Sequence, residues 1–303
     1  MPSPLRSALY MPASNARAIA KARSLACDAV ILDLEDAVAP EEKARARDQA
    51  VAAVREGGFG HRRLVVRVNG ADTPWHAEDL AALASVAPDA VLFPKVADAA
   101  GLHAARAALG DRGPAVWAMI ETCAAILDLG ALARAAAPTG TSALVFGGND
   151  LAKEMRCTPG AARTPLLPAL TLTICAARAG NMIALDGVSN AIDDAEALAV
   201  ECAQGAAMGF DGKTLIHPAQ IAAANAAFAP DAATLEWARA VIAAFADPAA
   251  DGRGAIRLGS AMVERLHLAE AERLVAIAGS SAPVRSLGTG LPFATRPASH
   301  DPE

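Results

Sequence analysis

Two carboxylates, Glu121 and Asp150, follow neighbouring apolar runs at a spacing that could do chemistry. The first run, Ala115 to Ile120, ends in Glu121-Thr122. After a helix-length segment the second, Ser142 to Phe146, ends in Gly147-Gly148-Asn149-Asp150-Leu151. Each run reads as a buried strand that delivers an acid at its C-terminal tip. Acids on adjacent tips of parallel strands can hold one hard divalent cation, with the remaining positions left to water and substrate oxygens. The diglycine adds backbone N–H groups able to approach an anion. Either acid alone is equally an ordinary strand-end or helix-capping residue, but the pair beside a diglycine favours function.

Other apolar runs end in polar residues as well. The second run ends in Asp33-Leu34-Glu35-Asp36, the third in Arg67-Val68-Asn69-Gly70, the fourth in Pro94-Lys95 and the seventh in Asp186-Gly187. Arg67 carries a permanent charge on a planar fork, which suits a carboxylate or an enolate oxygen; a structural ion pair with Glu35 or Asp36 is the alternative. Lys95 fits charge balance to these acids. His217 stands where the eighth strand gives way to a helix and is as readily structural as ligand-binding. Near the N-terminus, Arg17 and Lys21 fall one turn apart on the first helix, with Arg6 just before the first strand. Cations at a helix N-terminus suit a diphosphate, although exposed cations are also ordinary helix surface.

The elements that must position these residues alternate between short apolar runs and helix-length segments. The runs are Ala8 to Met11, Ala29 to Leu34, Leu64 to Val68, Ala90 to Phe93, Ala115 to Ile120, Ala143 to Phe146, Met182 to Leu185 and Ala207 to Phe210. Alternating strands and helices call for parallel pairing through right-handed crossovers, and eight of them close a (β/α)8 barrel whose C-terminal face carries the chemistry. An open doubly wound sheet would place a G-x-G-x-x-G turn after its first strand, and Tyr10-Met11-Pro12-Ala13-Ser14-Asn15 is not one. The barrel is expected over residues 1–230. A helical arm over 231–278 follows, with helices at Pro230 to Phe245 and Ala261 to Ala278, and then a Ser-, Gly- and Pro-rich tail at 279–303.

Composition narrows the classes. The 303 residues are 53% hydrophobic and 20% charged with a net charge of −6, enough for one large core, and no basic stripe points to nucleic acid. No apolar run approaches the roughly 18–20 residues of a membrane span, and MPSPLRSALY has no signal-peptide pattern, so a soluble cytoplasmic protein is expected. The five cysteines form no C-x-x-C pair and read as buried thiols.

Taken in order, Arg6-Ser7, Leu9 to Ala13, Asp33 to Val38, Arg67-Val68-Asn69, Pro94-Lys95, Ile120-Glu121-Thr122, Gly147 to Leu151, Asp186-Gly187-Val188 and Gly212-Lys213 through His217-Pro218 resemble the HpcH/HpaI aldolases. Within these they are similar to the citrate lyase β-chain-like, CitE-like and malyl-CoA lyase-like enzymes. The resemblance implies a TIM barrel that binds Mg²⁺, or Mn²⁺ in its place, through Glu121 and Asp150. It implies catalytic roles for Arg67, Glu35 and Asp36, and a CoA thioester along the first helix at Arg17 and Lys21. Tyr10, Arg67, Gly147, Gly148 and Asn149 would line the substrate. It further implies a homotrimer or hexamer in which one subunit's arm covers its neighbour's site.

The implied reaction is reversible Claisen-type cleavage of a 3-hydroxyacyl-CoA (malyl-CoA, citramalyl-CoA or hydroxymethylglutaryl-CoA type) to an acyl-CoA and a 2-oxo acid. A (3S)-malyl-CoA-type thioesterase, a citrate lyase β subunit and a non-catalytic acyl-CoA-binding protein are the alternatives. The arm departs from the family pattern of Met, an aliphatic residue and Asp, with Pro close behind. Here the run is Met262-Val263-Glu264-Arg265-Leu266, so the catalytic arm carboxylate would be Glu264. Its extra methylene moves the acid by roughly 1.5 Å, enough to alter a near-attack geometry.

Overall fold

Strand alternation decides which side chains stand inside this molecule. The computed structural model describes residues 4–279. Eight parallel strands close into a barrel in chain order: β1 (Ser7–Pro12), β2 (Ala29–Asp33), β3 (Arg63–Arg67), β4 (Ala90–Phe93), β5 (Ala115–Ile120), β6 (Thr141–Phe146), β7 (Ile183–Asp186) and β8 (Gly212–Leu215). β1 pairs with both β2 and β8, which closes the ring. Successive residues of a strand point to opposite faces. Ala8 and Tyr10, Ala29 and Ile31, Val65, Leu92, Trp117 and Met119, Val145 and Leu185 accordingly form an interior cluster of their own. Leu9, Val30, Leu32, Val66, Val91, Ile120 and Leu144 face outward onto the helices. Continuing the inward rows one step toward the strand C-termini puts Asp33 above Ile31, Arg67 above Val65 and Glu121 above Met119. The apolar column thus ends in a charged rim.

The covering helices are α1 (Ala16–Ala22), α2 (Lys43–Glu56), α3 (His76–Leu83), α4 (Ala99–Leu109), α5 (Cys123–Thr139), α6 (Gly148–Met155), α7 (Leu167–Ala179), α8 (Ala195–Met208) and α9 (Ile221–Ala227). Their starts are written into the sequence: Asp98, Thr122 and Asp194 accept hydrogen bonds from the N–H groups of Gly101, Ala125 and Ala197, each cap contributing about 1 kcal/mol. The Thr122 cap directly follows Glu121 and so fixes the backbone from which that carboxylate projects. Alanine dominates the helix faces that meet the barrel, with Ala46, Ala50, Ala125, Ala136 and Ala177 all buried.

The eighth strand lies beyond the run expected for it. Ala207 and Met208 end α8, and β8 begins at Gly212. Its sequence, Gly-Lys-Thr-Leu, carries no apolar run, because its polar side chains are buried in a charge cluster. Lys213 is fully buried, with Nζ 3.2 Å from Asp186 Oδ2, 2.6 Å from Glu201 Oε1 and 2.5 Å from the Gly187 carbonyl oxygen. Arg163 completes the cluster, its Nη1 lying 2.7 Å from Asp186 Oδ1.

The arm also differs from expectation. It contains α10 (Ala232–Ala246), a hairpin of β9 (Ala255–Leu258) and β10 (Ala261–Glu264), and α11 (Arg265–Gly279). Residues 261–264 therefore form a strand, and the helix begins at Arg265. Gly259, at φ +60°, supplies the positive φ that a two-residue hairpin turn demands. Ala238, Val241, Val263 and Ala271 make a small core for the arm. α11 lies against the N-terminal face of the barrel, where Ala269, Glu272 and Arg273 share a cavity of about 370 Å³ with Leu5, Ile183 and Asp211. The expected tail, past Gly279, falls outside the described residues. Among the described residues no helix is long and apolar enough to cross a membrane.

Removing Lys213 takes one of two cations from the buried Asp186 and the closer of two from the half-buried Glu201, and breaking a buried pair costs up to about 3–5 kcal/mol. Lys213→Met is expected to lower the unfolding free energy measured in urea accordingly; a value within about 0.5 kcal/mol of the parent, the range of ordinary surface substitutions, would show that the cluster does not hold β7 to β8.

Candidate active site

Arg67, the last residue of β3, is the hub of the charged rim. Its Nε and Nη2 donate to Asp33 Oδ1 and Oδ2 at 2.7 and 2.6 Å, and its guanidinium lies 4.8 Å from the centre of the Tyr10 ring. The register pairs Asp33 with Arg67 across β2 and β3, so the bidentate contact follows from the barrel itself. The fork expected to grip a ligand is thus committed to Asp33, and Nη1 is the remaining edge. Nη1 lies 2.7 Å from Glu35 Oε2, a charge contact without hydrogen-bond alignment, 3.6 Å from Asp36 Oδ2 and 3.7 Å from Met119 Sδ. Surrounded by acids, Arg67 is held more firmly protonated despite burial. The structural pairing of Arg67 with Glu35 and Asp36 is therefore present, and the same side chain lines a cavity.

Glu121 is 1% exposed. Its Oε1 accepts from the Lys95 backbone N–H at 2.7 Å, while its Oε2 has no hydrogen-bond partner. Gly147 is required beside it, because a Cβ there would stand 2.4 Å from Glu121 Cβ and 2.6 Å from Oε2. Asp150, in the first turn of α6, lines the same cavity of about 300 Å³, together with Tyr10, Arg67, Gly148 and Asn149. Burial pushes the Glu121 carboxyl up to about 8, with the charges of Glu35 and Asp150 adding to the rise and the Lys95 amide opposing it. Glu35 is pushed by burial to about 7, against the pull of Arg67. An orphaned buried oxygen beside a second acid fits a cation. Among the described residues no group of three or more His, Cys, Asp or Glu side chains is placed to hold a metal. The two acids would leave most of an octahedral shell to water and ligand oxygens, as is usual for Mg²⁺.

Of the residues singled out in the sequence, Tyr10, Asp36, Arg67, Glu121, Gly147, Gly148, Asn149 and Asp150 line this one cavity. Glu35 is not among the lining residues but lies 2.7 Å from Arg67 Nη1. Arg17 and Lys21 are exposed on α1 and do not line the cavity. Glu264, exposed at the end of β10, is not among its lining residues either, and the helix that follows it packs on the opposite face of the barrel. Asp186 turns into the Lys213 cluster, and Asn69 is buried between Lys43 and Asp79. His217 accepts from the Ala219 N–H as a helix cap.

Sequence reasoning missed Lys43. Its buried ammonium donates to the carbonyls of Leu34 and Glu35 at 2.7 and 2.8 Å and to Asn69 Oδ1 at 2.6 Å, fixing the loop that carries Glu35 and Asp36. The only available signal was a lysine on the buried face of an otherwise ordinary α2. Asp33 was visible, but its dual task was not: besides Arg67 it accepts from the Glu35 and Ala37 N–H groups.

An acid-rimmed cavity at the C-terminal mouth of a (β/α)8 barrel, lined by Arg67, Glu121 and Asp150, defines a class. The profile of the HpcH/HpaI aldolase/citrate lyase family matches residues 6–218, and the chain belongs to this family of enzymes. It is 45% identical over 283 residues to the (3S)-malyl-CoA thioesterase of Cereibacter sphaeroides, covering 93% of this chain and 98% of that protein. It is 31% identical to the mitochondrial citramalyl-CoA lyase of Homo sapiens, covering 91% and 86%. The crystal structure of CitE from Mycobacterium tuberculosis in complex with magnesium, acetoacetate and coenzyme A superposes with a TM-score of 0.73. That similarity is at 33% identity and covers 91% of this chain and 98% of that one.

The raised carboxyls fix the sign of a pH effect. Without divalent metal, the folded protein keeps protons on Glu35 and Glu121 that the unfolded chain releases near the ordinary value of 4.5. Their contribution to stability is complete below that value and falls as pH rises toward about 7 and about 8. In EDTA, Glu121→Gln is expected to gain melting temperature relative to the parent between about pH 5 and about pH 8. A pH-independent difference would mean that Glu121 is ionised throughout.

Proposed function

We propose that the protein is a Mg²⁺-dependent enzyme of 3-hydroxyacyl-CoA thioesters of the malyl-CoA type, and that its net reaction is thioester hydrolysis. One observation carries the metal-dependent chemistry: a buried Glu121 oxygen without a partner, in a side chain that shares one cavity with Asp150 and Arg67. The 45% identity to (3S)-malyl-CoA thioesterases supports the net reaction, as does Glu264 in place of the family's arm Asp. Magnesium supports the reading through the CitE complex; when bound it would supply Lewis-acid polarisation of substrate oxygens.

Glu121 and Asp150 would hold the ion and, through it, the hydroxy-acid end of the substrate. Arg67, locked by Asp33, would present Nη1 to the thioester oxygen and stabilise negative charge as it develops there. Because that edge is preorganised by a bidentate pair, little reorganisation is needed. Glu35, with a carboxyl near neutrality, is suited to exchange a proton beside Arg67, and Asp36 adds negative charge at the mouth. Arg17 and Lys21 would meet the CoA phosphates outside the cavity. Glu264 would come from the arm of a neighbouring subunit in a trimer or hexamer, since its own arm packs on the far face of the barrel.

In hydrolysis Glu264 would take a proton from water as its oxygen attacks the thioester carbon. The C–S bond then breaks, and the thiolate leaves as CoA once protonated. The second reading, retro-Claisen cleavage, is favoured by the 31% identity to citramalyl-CoA lyase. There the hydroxyl proton passes to a carboxylate, the carbon–carbon bond breaks toward the 2-oxo acid, and the enolate beside Arg67 is protonated to the acyl-CoA.

Product analysis by chromatography on malyl-CoA with Mg²⁺ separates these readings. Free CoA with malate is expected from the parent, and acetyl-CoA with glyoxylate would establish the lyase instead. Glu121→Ala is expected to abolish turnover. Arg67→Lys should lower kcat by about 10²- to 10³-fold, the loss typical of one oxyanion donor. Parent activity unaffected by EDTA would overturn the metal-dependent reading.

A further inference from the structure

We infer that Lys95 is a positioning residue for the metal-binding carboxylate and that it acts through its left-handed backbone; the inference rests on Glu121 being a metal ligand, as proposed above. Lys95 has φ +53°, a region that straight-chain L residues rarely occupy. The other non-glycine residues at positive φ among those described are Arg156, Arg163 and Asn181, and each has a helix-end explanation. Arg156 ends α6, Arg163 precedes the short helical turn at Thr164–Leu166, and Asn181 follows the end of α7. Lys95 has none, for it sits between the end of β4 at Phe93 and the Asp98 cap of α4. Unusual backbone at such a place is held by its surroundings and concentrates at functional sites.

The surroundings are visible. Pro94 and Val96 are both buried while Lys95 is exposed, so the chain is anchored on each side of the strained residue. β4 pairs with β5 through Phe93 and Ala118, and continuing that register brings Lys95 beside the end of β5. There its N–H donates to Glu121 Oε1 at 2.7 Å. This hydrogen bond occupies one oxygen of the carboxylate and leaves Oε2 without a partner, against the space that Gly147 keeps clear. The result is a carboxylate prepared to bind a cation through a single oxygen. The ammonium of the same residue stands 3.6 Å from Glu35 Oε1 and contributes countercharge, but the orientation of Glu121 depends on the amide.

A β-branched residue at 95 relaxes toward negative φ. With the buried Val96 held, that rotation turns the peptide plane between Pro94 and residue 95, and with it swings the N–H away from Glu121. Glycine or asparagine accepts the left-handed conformation and keeps the amide in place while discarding the ammonium. Backbone and side-chain roles are therefore separable at one position.

The test is Mn²⁺ binding to the full chain by paramagnetic resonance, with metal-free melting temperatures measured alongside to report folding. Lys95→Val is expected to weaken Mn²⁺ binding by about 10- to 100-fold, the loss seen when a partner of a metal ligand is removed, and Lys95→Gly and Lys95→Asn are expected to retain parental affinity. Equal weakening in all three would assign the effect to the ammonium and overturn the inference, as would unchanged affinity in Lys95→Val. If Lys95→Val fails to fold, Lys95→Ala takes its place, and parental affinity there with metal-free melting lowered overturns the inference. Glu121→Gln is the control for the underlying reading: Mn²⁺ binding by that variant equal to the parent's would remove Glu121 as a ligand, whatever the variants at 95 do.

Discussion

A carboxylate taken out of water and given a single hydrogen-bond donor is the constraint on which this site depends. An unpaired buried charge is costly enough that a protein normally protonates it or supplies a countercharge. Glu121 has neither a cation in contact nor a second donor, so its charged form waits on something from outside the protein. The surrounding structure sustains that condition. Thr122 fixes the helix start immediately after it, the Lys95 amide takes one oxygen, and Gly147 withholds the Cβ that would fill the space next to the other.

In the same cavity as this incomplete group stands a completed one. Arg67 is satisfied on two edges by Asp33, and Asp33 in turn holds the N–H groups of the loop that carries Glu35 and Asp36. Lys43 grips the carbonyls of that same loop. Donors and acceptors of one short segment are therefore fixed from both sides, and the third edge of Arg67 is aimed without freedom to turn. Across the barrel, the Asp186, Lys213, Arg163 and Glu201 cluster is also internally paired. The rim thus combines two paired networks with a buried acid whose Oε2 has no partner, and a charged ligand gains most where compensation is missing.

How much of this was legible follows from where the chain used apolar residues. Seven strands stood out because their outward and inward faces are both packed, giving unbroken runs such as Ala-Val-Leu-Phe in β4. The eighth did not, because Lys213 and Thr214 are buried by pairing and not by being apolar, and pairing partners such as Asp186 and Glu201 lie far away in sequence. The same blindness hid the hairpin in the arm, whose four-residue strands are too short to show alternation. It also hid Lys43, whose meaning lies in three acceptors from two other elements. Glu121, Asp150 and Arg67 could be read because strand tips in a barrel converge by topology alone. That Asp33 would occupy the fork of Arg67 required knowing the register between β2 and β3.

Within the proposed function, the division of labour between barrel and arm explains how one site can lead to different products. The barrel residues act on features shared by hydrolysis and carbon–carbon cleavage: they hold the hydroxy acid and stabilise charge on the thioester oxygen. Neither task selects which bond breaks. That choice falls to the carboxylate that manages the proton, because hydrolysis needs it near a water facing the thioester carbon, whereas cleavage needs it near the carbon that becomes a methyl group. These positions differ by little more than the length of a side-chain bond. An arm carboxylate longer by one methylene, carried on a hairpin whose own core is small, can therefore redirect the outcome while Arg67, Glu121 and Asp150 stay where they are.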